Sequence, residues 1–323
     1  MKKQNTRTAT FLLLILLPLC LFAQRPMSEE PKDGPARHFS LSVHYTPAAQ
    51  MIPARAVSSA LDPSTPPASE KFTFGSLSHD FLKDAGEIWS YPVHIRTRDV
   101  LPIAGIAVLT GFLIGNDVAI RRGFLDYQDR HAWVRAVSPV ISKMGTYGAW
   151  GTAAAFLCVG LLAKDDTAVE TGALATSAML QSAILASFLK GLTGRQRPFW
   201  ADGVDHWSGP VGFFKRLQSG FSGKYNSFPA GHSITAFSLA TVVAMQYRKS
   251  VWVPILAYTT ATGVGLSRVT ENKHWLSDVL VGGVLGHVIG RLVVLNHRSR
   301  YHTPPTAGVV QSSLSFAVTF SSR

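Results

Sequence analysis

Charged residues are scarce in this chain. Asp, Glu, Lys and Arg together make up 15% of its 323 residues, against about 25% in ordinary soluble domains, whereas 46% of the residues are hydrophobic. Acidic residues are the rarer of the two signs, so the formal net charge is +12. Basic runs interleaved with aromatic residues are lacking, which argues against nucleic acid as a partner. The composition favours a membrane protein that handles anionic groups.

Cysteine is nearly absent, with only Cys20 and Cys158 in the chain. Cys20 lies in an N-terminal segment where cations precede the apolar run 9–22, which is typical of a secretory signal peptide. Removal of residues 1–23 would leave Cys158 alone, so no intrachain disulfide is predicted. Carboxylates and histidines do not cluster at metal-ligand spacing, so no metal or other cofactor is expected.

The two flanks differ from the middle of the chain. Residues 24–99 form an N-terminal extension that is rich in Pro, Ser and Ala and is predicted to be partly irregular. Within it, residues 76–92 are predicted to form an amphipathic helix, more readily one lying on the main bundle than a membrane-interface anchor. Residues 38–45 and the stretch 313–320 of the C-terminal tail, 297–323, alternate apolar and polar residues, which predicts two short strands that pair.

Six apolar segments occupy the middle, residues 100–296, and predict an all-α, six-helix bundle embedded in a membrane. They lie near residues 100–116, 145–163, 170–189, 233–247, 251–267 and 277–295. Several are shorter than the roughly 20 residues that cross a bilayer. Gly, Ala, Ser and Thr are frequent in them, as expected where helices pack closely in lipid.

Several ionisable residues stand at the ends of these segments. Lys190 ends the third segment, His232 begins the fourth, Arg268 ends the fifth, and His274 and Asp278 begin the sixth. If consecutive helices are antiparallel, all of these ends lie on one face of the bundle. The sequence therefore predicts one site built from residues that are far apart along the chain.

The residue types in this site suit phosphoryl chemistry. His274 and Asp278 are one helical turn apart, so the carboxylate can accept one imidazole N–H and leave the other nitrogen free to attack. The cations suit the charge on a phosphoryl group in its transition state. Gly231, at a helix N-terminus, lets the backbone approach an anionic oxygen closely.

Three motifs carry a family resemblance. Lys190 is followed after six residues by Arg197-Pro198, then by the stretch 227–232, and finally by the stretch 267–278. In order and spacing these resemble the K-x6-RP, PSGH and SR-x5-H-x3-D motifs of the type 2 phosphatidic acid phosphatase (PAP2) family, which shares its core with bacterial class A acid phosphatases and vanadium haloperoxidases. The resemblance covers roughly residues 100–295. The one departure is Ala230, where the family has a serine that donates a hydrogen bond to the bound phosphate.

The resemblance implies roles for individual residues. His274 is expected to be the nucleophile that becomes a phosphohistidine, Asp278 to orient it, and His232 to act as general acid and then as general base. The residues expected to bind phosphate are Lys190, Arg197, Gly231 and Arg268. No metal is required by this mechanism.

The implied function is hydrolysis of a phosphomonoester or diphosphate on a lipid. Candidate lipids are phosphatidic acid, phosphatidylglycerol phosphate, undecaprenyl diphosphate and lipid A. The implied location is the bacterial inner membrane, with the site facing the periplasm. Three alternatives stay open: a soluble periplasmic acid phosphatase, a vanadium-dependent haloperoxidase, and a non-catalytic membrane protein that binds lipid phosphate.

The remaining ionisable and aromatic residues are not assigned to the site. Glu170, His287 and Arg291 lie in or near apolar segments but far from the motifs along their helices, so they are interpreted as packing or interfacial residues. The loop 199–228 is dense in aromatic residues. It is predicted either to wall a lipid-binding pocket or to fold on its own rings.

Overall fold

The computed structural model describes residues 39–40, 76–201, 204–218, 223–301 and 317–318. The chain divides into two units, one of residues 71–302 and one of residues 1–70 with 303–323. The predicted signal peptide of residues 1–23 lies outside the described residues.

Helices make up almost all of the larger unit. They are α1 (Leu77–Ser90), α2 (Thr97–Arg130), α3 (Ala132–Lys143), α4 (Ala149–Ala163), α5 (Asp166–Thr193), α6 (Val211–Gln218), α7 (Gly231–Gln246), α8 (Trp252–Thr270) and α9 (Leu276–Tyr301). A π-helical turn, Met144–Gly148, joins α3 to α4. The six predicted apolar segments fall on α2, α4, α5, α7, α8 and α9, which confirms the all-α prediction.

Four helical stretches are long and apolar enough to cross a membrane. They are residues 99–130, 132–163, 166–193 and 276–301. Only 11% of the most apolar window in the first stretch is buried within the protein, and 17% in the second, so their apolar side chains face outward. Leu101 is 81% exposed and Leu162 is 86% exposed. Large apolar side chains turned outward along spans of this length identify a membrane protein.

Residues 117–144 differ from the sequence-based expectation of a connecting loop. They are helical almost throughout, because α2 continues to Arg130 and α3 begins at Ala132. The last turn of α2 carries one exposed ion pair, with Arg130 Nη2 2.6 Å from Asp126 Oδ2 one turn earlier, which adds only a few tenths of a kcal/mol. The helix thus continues beyond the segment that hydrophobicity alone marks.

Helix α7 is the centre of the bundle and packs against α5, α8 and α9. The crossing with α9 is close because glycines on α9 leave no side chain between the backbones. A Cβ at Gly286 would lie 2.3 Å from the carbonyl oxygen of Ile234, and one at Gly290 would lie 2.8 Å from that of Ser238. The abundance of small residues therefore reflects backbone contact, as predicted.

Helix α1 lies on the bundle, against α5 and α9, as the favoured interpretation of residues 76–92 predicted. Its Asp84 and Ile88 are buried. Gln181 Nε2 on α5 donates to the carbonyl oxygen of Phe81 at 2.7 Å, and Arg300 Nη2 on α9 donates to Asp84 Oδ1 at 2.6 Å. Polar contacts from two helices fix α1 in place.

Two short strands belong to the smaller unit. β1 (Phe39–Ser40) and β2 (Ala317–Val318) pair antiparallel, with Phe39 opposite Val318. They lie within the two segments whose alternation predicted paired strands, and the prediction is confirmed for these four residues. The rest of both segments lies outside the described part of the chain.

Candidate active site

The predicted helix ends do meet at one end of the bundle. The amide of Ala230, just before α7, donates to the carbonyl oxygen of Asp278 at 3.0 Å, and the amide of His274 donates to the carbonyl oxygen of Arg268 at 3.2 Å. The end of α5 is closed by Gly194, whose amide donates to the carbonyl oxygen of Lys190 at 3.1 Å. These bonds fix the starts of α7 and α9 and the ends of α5 and α8.

Gly194 has a positive φ of 51°, and a Cβ there would lie 2.7 Å from the carbonyl oxygen of Gly209 and 2.7 Å from Gly212 Cα. Glycine is therefore needed both for the left-handed turn and for the close approach of the following loop. The turn directs the chain from Lys190 back across the helix ends towards Arg197.

His274 lies in the loop between α8 and α9 and is almost wholly buried. Its Nδ1 is 3.5 Å from Asp278 Oδ2, which is an ion-pair distance but does not meet the geometry of a hydrogen bond. Asp278 Oδ2 also accepts from Ser227 Oγ at 2.5 Å and from the amide of Trp275 at 2.9 Å. The predicted histidine–carboxylate pair is thus present, and Nδ1 is the nitrogen turned towards the carboxylate.

The predicted cations surround this pair. A Cβ at Gly231 would lie 3.1 Å from Lys190 Nζ, so glycine allows the ammonium to approach the first turn of α7. The Nε atoms of Arg197 and Arg268 are buried and have no hydrogen-bond partner among the described residues. Unused buried guanidinium donors suit an oxyanion ligand, which can accept two parallel N–H bonds from each.

The cations and burial act together on both histidines. Burial, and then repulsion by Arg197, Lys190, Arg268 and His232, lower the pKa of His274 well below its ordinary value of 6.5. Burial and the same three cations lower the pKa of His232, at the start of α7, to about 4. Both imidazoles are therefore neutral at pH 7 until an anion offsets the cations.

Arg268 is anchored on one side by two residues that the sequence analysis did not single out. Its Nη1 donates to Ser142 Oγ at the end of α3 and to Glu271 Oε2 just after α8. Burial lowers the pKa of Arg268, whereas Glu271 opposes this effect. With Nη1 occupied, the Nε edge of the guanidinium is the part left for a ligand.

A second arginine, Arg195, was missed by the sequence analysis although it lies inside the K-x6-RP motif. It is 0% exposed and contacts three carboxylates, those of Asp117, Asp205 and Asp278, at 2.6 to 2.9 Å. Burial lowers its pKa, but these carboxylates together raise it above the usual value. A lone acid at the end of an apolar segment, Asp117, was the signal available in the sequence.

The two serines that flank Ala230 differ in their bonding. Ser227 Oγ donates to Asp278, so it is already in use. Ser233 Oγ is buried and has no hydrogen-bond partner among the described residues. Ser233 packs between helices, since a Cβ at Gly265 of α8 would be 3.4 Å from its Oγ and one at Gly282 of α9 would be 3.2 Å from its Cβ.

The described residues of the aromatic loop show one of the two predicted arrangements, in which the loop folds on its own rings. Rings pair within it, Phe199 with Trp200 at 5.4 Å and Phe213 with Phe214 at 5.8 Å between centroids, and all four are at least 46% exposed. Trp207 instead reaches inward, with its ring 4.5 Å from the Arg195 guanidinium. The loop thus packs on its own rings and also contacts Arg195.

The other ionisable residues lie elsewhere, as predicted. His287 Nδ1 is 2.9 Å from Tyr258 Oη and 3.1 Å from Thr241 Oγ1 inside the bundle. Glu170 Oε2 is 3.6 Å from His297 Nε2 near the opposite end of α9. Both are packing residues.

Fold and site together define a helical membrane protein with a buried cluster of two histidines and three cations at one end of the bundle. Known proteins with a similar sequence were found as well. Residues 171–301 match the family model described as PAP2 superfamily, and this range contains every site residue predicted from the sequence. The resemblance drawn from the three motifs is confirmed for this part of the chain, whereas Asp117 and Ser142 lie outside it.

Two curated proteins are similar over short stretches. Lipid A 1-phosphatase of Porphyromonas gingivalis is 44% identical over 68 residues, which are 21% of this chain and 15% of that protein. Bacitracin transport permease protein BcrC of Bacillus licheniformis is 32% identical over 90 residues, 28% of this chain and 39% of that protein. The chain thus spans less than half the length of either relative.

Two crystal structures also resemble the chain. LpxE of Aquifex aeolicus is 18% identical, with a TM-score of 0.41, and the match covers 55% of this chain and 93% of that one. A transmembrane PAP2-type phosphatidylglycerolphosphate phosphatase of Bacillus subtilis is 22% identical, with a TM-score of 0.42, and the match covers 70% and 96%.

Proposed function

We propose that this protein is a membrane phosphatase that removes a phosphoryl group from a lipid phosphomonoester or diphosphate through a phosphohistidine, without a metal ion. The observation that supports this most is the placement of His274. It is buried, neutral at pH 7 and next to a carboxylate. It also lies among three cations, of which Arg197 and Arg268 have a buried Nε donor with no partner among the described residues.

The geometry suggests the order of steps. Because Nδ1 of His274 faces Asp278, Nε2 is the nitrogen that attacks phosphorus while the bond to the lipid oxygen breaks. His232 donates a proton to that leaving oxygen. Water then attacks the phosphohistidine, His232 accepts a proton from the water, and phosphate leaves. Asp278 stabilises the positive charge that the His274 ring carries in the intermediate.

A general acid must carry a proton, so the low pKa of His232 fits these reaction steps only if substrate binding raises that pKa. A phosphoryl dianion carries about two negative charges, so its arrival replaces repulsion by attraction and raises the pKa of His232 from about 4. His232 therefore takes up its proton when the substrate binds.

The relatives' printed names support a lipid substrate, since one acts on lipid A and another on phosphatidylglycerol phosphate. The four helical stretches that are long and apolar enough to cross a membrane favour a membrane enzyme over a soluble acid phosphatase. Ala230 is the observation that favours a non-catalytic binding protein, because it removes one donor from the phosphate site.

The test is hydrolysis by the purified protein in detergent, using lipid A, phosphatidylglycerol phosphate, phosphatidic acid and undecaprenyl diphosphate. Phosphate release that persists in excess EDTA is expected from at least one of them. Release that requires an added divalent metal contradicts the metal-free step. Halide oxidation that requires vanadate supports the haloperoxidase instead. Binding of all four lipids without release supports the non-catalytic alternative.

We further propose that the site faces the periplasm, as the resemblance implies. Cation counts oppose this, because segment 190–232 at the catalytic end holds six Lys and Arg and the opposite loop 248–250 holds two. The proposal also requires that residues 1–23 stay uncleaved and are not translocated. Lys224→Cys in a background without Cys20 and Cys158 should react with a membrane-impermeant thiol reagent on spheroplasts. Labelling only after lysis places the site in the cytoplasm.

A further inference from the structure

Arg195 is a guanidinium with every donor in use. Its Nε and Nη2 donate to the two oxygens of Asp205 at 2.9 and 2.7 Å. Its Nη2 also donates to Asp117 Oδ2 at 2.7 Å, and its Nη1 donates to Ser277 Oγ and to Asp278 Oδ1, both at 2.6 Å. Since a guanidinium has five N–H donors, none is left for a phosphate. Arg195 therefore differs in kind from Arg197 and Arg268, whose Nε atoms have no partner among the described residues.

One of these five bonds reaches the predicted catalytic carboxylate. Arg195 holds Asp278 Oδ1, and the other oxygen, Oδ2, is the one 3.5 Å from His274 Nδ1. The division of the two oxygens fixes the rotation of the carboxylate about its χ2. If Oδ1 lost its partner in this buried position, the carboxylate would turn or take up a proton.

Asp117 binds both Arg195 and Ser277, the residue that precedes Asp278. Its Oδ1 accepts the amide of Ser277 at 3.2 Å, and its Oδ2 accepts from Ser277 Oγ as well as from Arg195. Ser277 is in the first turn of α9, next to Asp278. A carboxylate on α2 thus binds an otherwise unpaired amide at the start of α9, the helix that carries Asp278.

The arrangement is suited to Arg rather than Lys. Two indole rings, those of Trp207 and Trp275, lie 4.5 and 5.3 Å from the Arg195 guanidinium carbon, and flat stacking with five directed bonds needs a planar fork. A lysine at this position would supply one compact charge with three donors, so it could not reproduce the five bonds that Arg195 makes to Ser277 and the three carboxylates.

We propose that Arg195 and Asp117 are positioning residues for phosphoryl transfer: they set the orientation of Asp278 and, through it, that of His274, without touching the substrate. The inference rests on the proposed function. It assigns a role to Asp117, which lies outside the matched PAP2 range, and to an arginine that the phosphate-binding set does not include.

Three variants test it, and each is compared with the wild type for kcat, KM and inhibition by inorganic phosphate. Arg195→Lys removes the bond to Asp278. Asp117→Asn disturbs Ser277 and one Arg195 bond. Asp205→Asn, the matched control, disturbs Arg195 on the edge that does not face Asp278. Lys190→Gln serves as a reference for loss of phosphate binding.

The expected result is a fall in kcat of about 10- to 100-fold for Arg195→Lys, a smaller fall for Asp117→Asn, and less than about threefold for Asp205→Asn. The inhibition constant for phosphate should stay within about twofold in all three but rise in Lys190→Gln. A purely structural role would instead make kcat and phosphate binding decline together in proportion to the loss of thermal stability. That result overturns the proposal, as does wild-type kcat in folded Arg195→Lys protein.

If Arg195→Lys does not fold, kcat is compared between Asp117→Asn and Asp205→Asn, and equal values overturn the proposal.

A second experiment tests the positioning role separately from the proposed function. Phosphoramidate is used to phosphorylate His274, followed by mass spectrometry. Failure of the wild type to hydrolyse any lipid phosphate contradicts the proposed function, whereas the positioning role is then judged by whether phosphorylation slows in the same order of variants.

Discussion

Helix α9 carries an arginine–carboxylate cluster at each end, about 33 Å apart at 1.5 Å per residue. At its start, Arg195 binds three carboxylates and is 0% exposed. At its end, Arg300 contacts Asp80 and Asp84 of α1, and its side chain is 18% exposed. The chemistry of the two clusters is the same, but only the first includes a residue expected to take part in a reaction.

The two clusters differ in the energetic cost of removing one ion-pair partner. Removing one member of a fully buried pair leaves an uncompensated charge, at a cost of about 3–5 kcal/mol. An ion pair that water can reach is worth roughly 0–1 kcal/mol. The Arg195 cluster is therefore expected to control the catalytic geometry tightly, while the Arg300 cluster holds a peripheral helix.

The largest effect is expected from His274→Ala. Turnover should fall by about 10⁴-fold or more, because the matched motifs contain no other nucleophile. Phosphate release by purified protein measures this, and circular dichroism should show an unchanged helical content. Turnover within tenfold of the wild type would remove His274 from the mechanism and, with it, the functional contrast between the two ends of α9.

A smaller but specific effect is expected from Gly145→Ala in the π-helical turn. The added Cβ would lie 2.4 Å from Val264 Cγ1 and 3.1 Å from His232 Cβ, and valine has little freedom to move aside. The shift of His232 should lower kcat about tenfold, and π turns often mark such functional positions.

The matched control is Gly151→Ala on α4, since a Cβ there meets nothing within 4 Å. It should leave kcat unchanged and slightly increase stability, because alanine is less flexible than glycine in the unfolded chain. Equal activity in the two alanine variants would show that the packing of Gly145 on His232 has no catalytic consequence.

The pH dependence of kcat/KM follows from His274, which must be neutral to attack. Burial and nearby cations lower its pKa, so activity should persist as the pH falls below 6.5 and decline only at lower pH. Lys190→Gln removes one of these cations, which makes protonation easier and should move the acidic limb to higher pH. Measuring both proteins on one substrate cancels the substrate's own ionisation. A limb that does not move, or moves to lower pH, contradicts the electrostatic account.

Much of this site follows from the sequence because the motifs stand at helix ends. Lys190 and Arg268 close α5 and α8, and His274 and Asp278 flank the start of α9, so apolar segment boundaries alone bring them together. The six helices likewise follow from hydrophobicity. Only the continuation of α2 to Arg130 lies outside the predicted apolar segments, because charged residues interrupt its hydrophobic pattern.

The parts that could not be predicted are contacts between residues far apart in sequence. Asp117 and Ser277 are separated by 160 positions, and no periodicity in one chain pairs them. The Ser142 contact with Arg268 spans 126 positions. Arg195 was hidden for a different reason. It lies between two recognised cations, and only the structure shows that its donors point to carboxylates rather than to the phosphate-binding set.

A modest gain in affinity is expected from Ala230→Ser. Residue 230 is fully buried, and its amide binds the carbonyl oxygen of Asp278, so a hydroxyl here would lie close to the first turn of α9. A restored donor to a charged oxygen should contribute about 1 kcal/mol, or about fivefold tighter inhibition by vanadate or phosphate. Weaker inhibition of the serine variant would show that the site is built around alanine.

The smallest effect on turnover is expected from Arg300→Ala at the far end. It breaks the contacts with Asp80 and with the buried Asp84, which should lower the free energy of unfolding by about 2 kcal/mol and expose α1 to proteolysis. Turnover should stay within about twofold of the wild type, because the change lies about 33 Å along α9 from Asp278. Lys83→Ala, which removes an exposed cation from α1 itself, is the matched control and should change neither proteolysis nor turnover. A fall in kcat as large as that of Gly145→Ala would mean that α1 is coupled to the site through α9, and the two clusters could no longer be treated as independent.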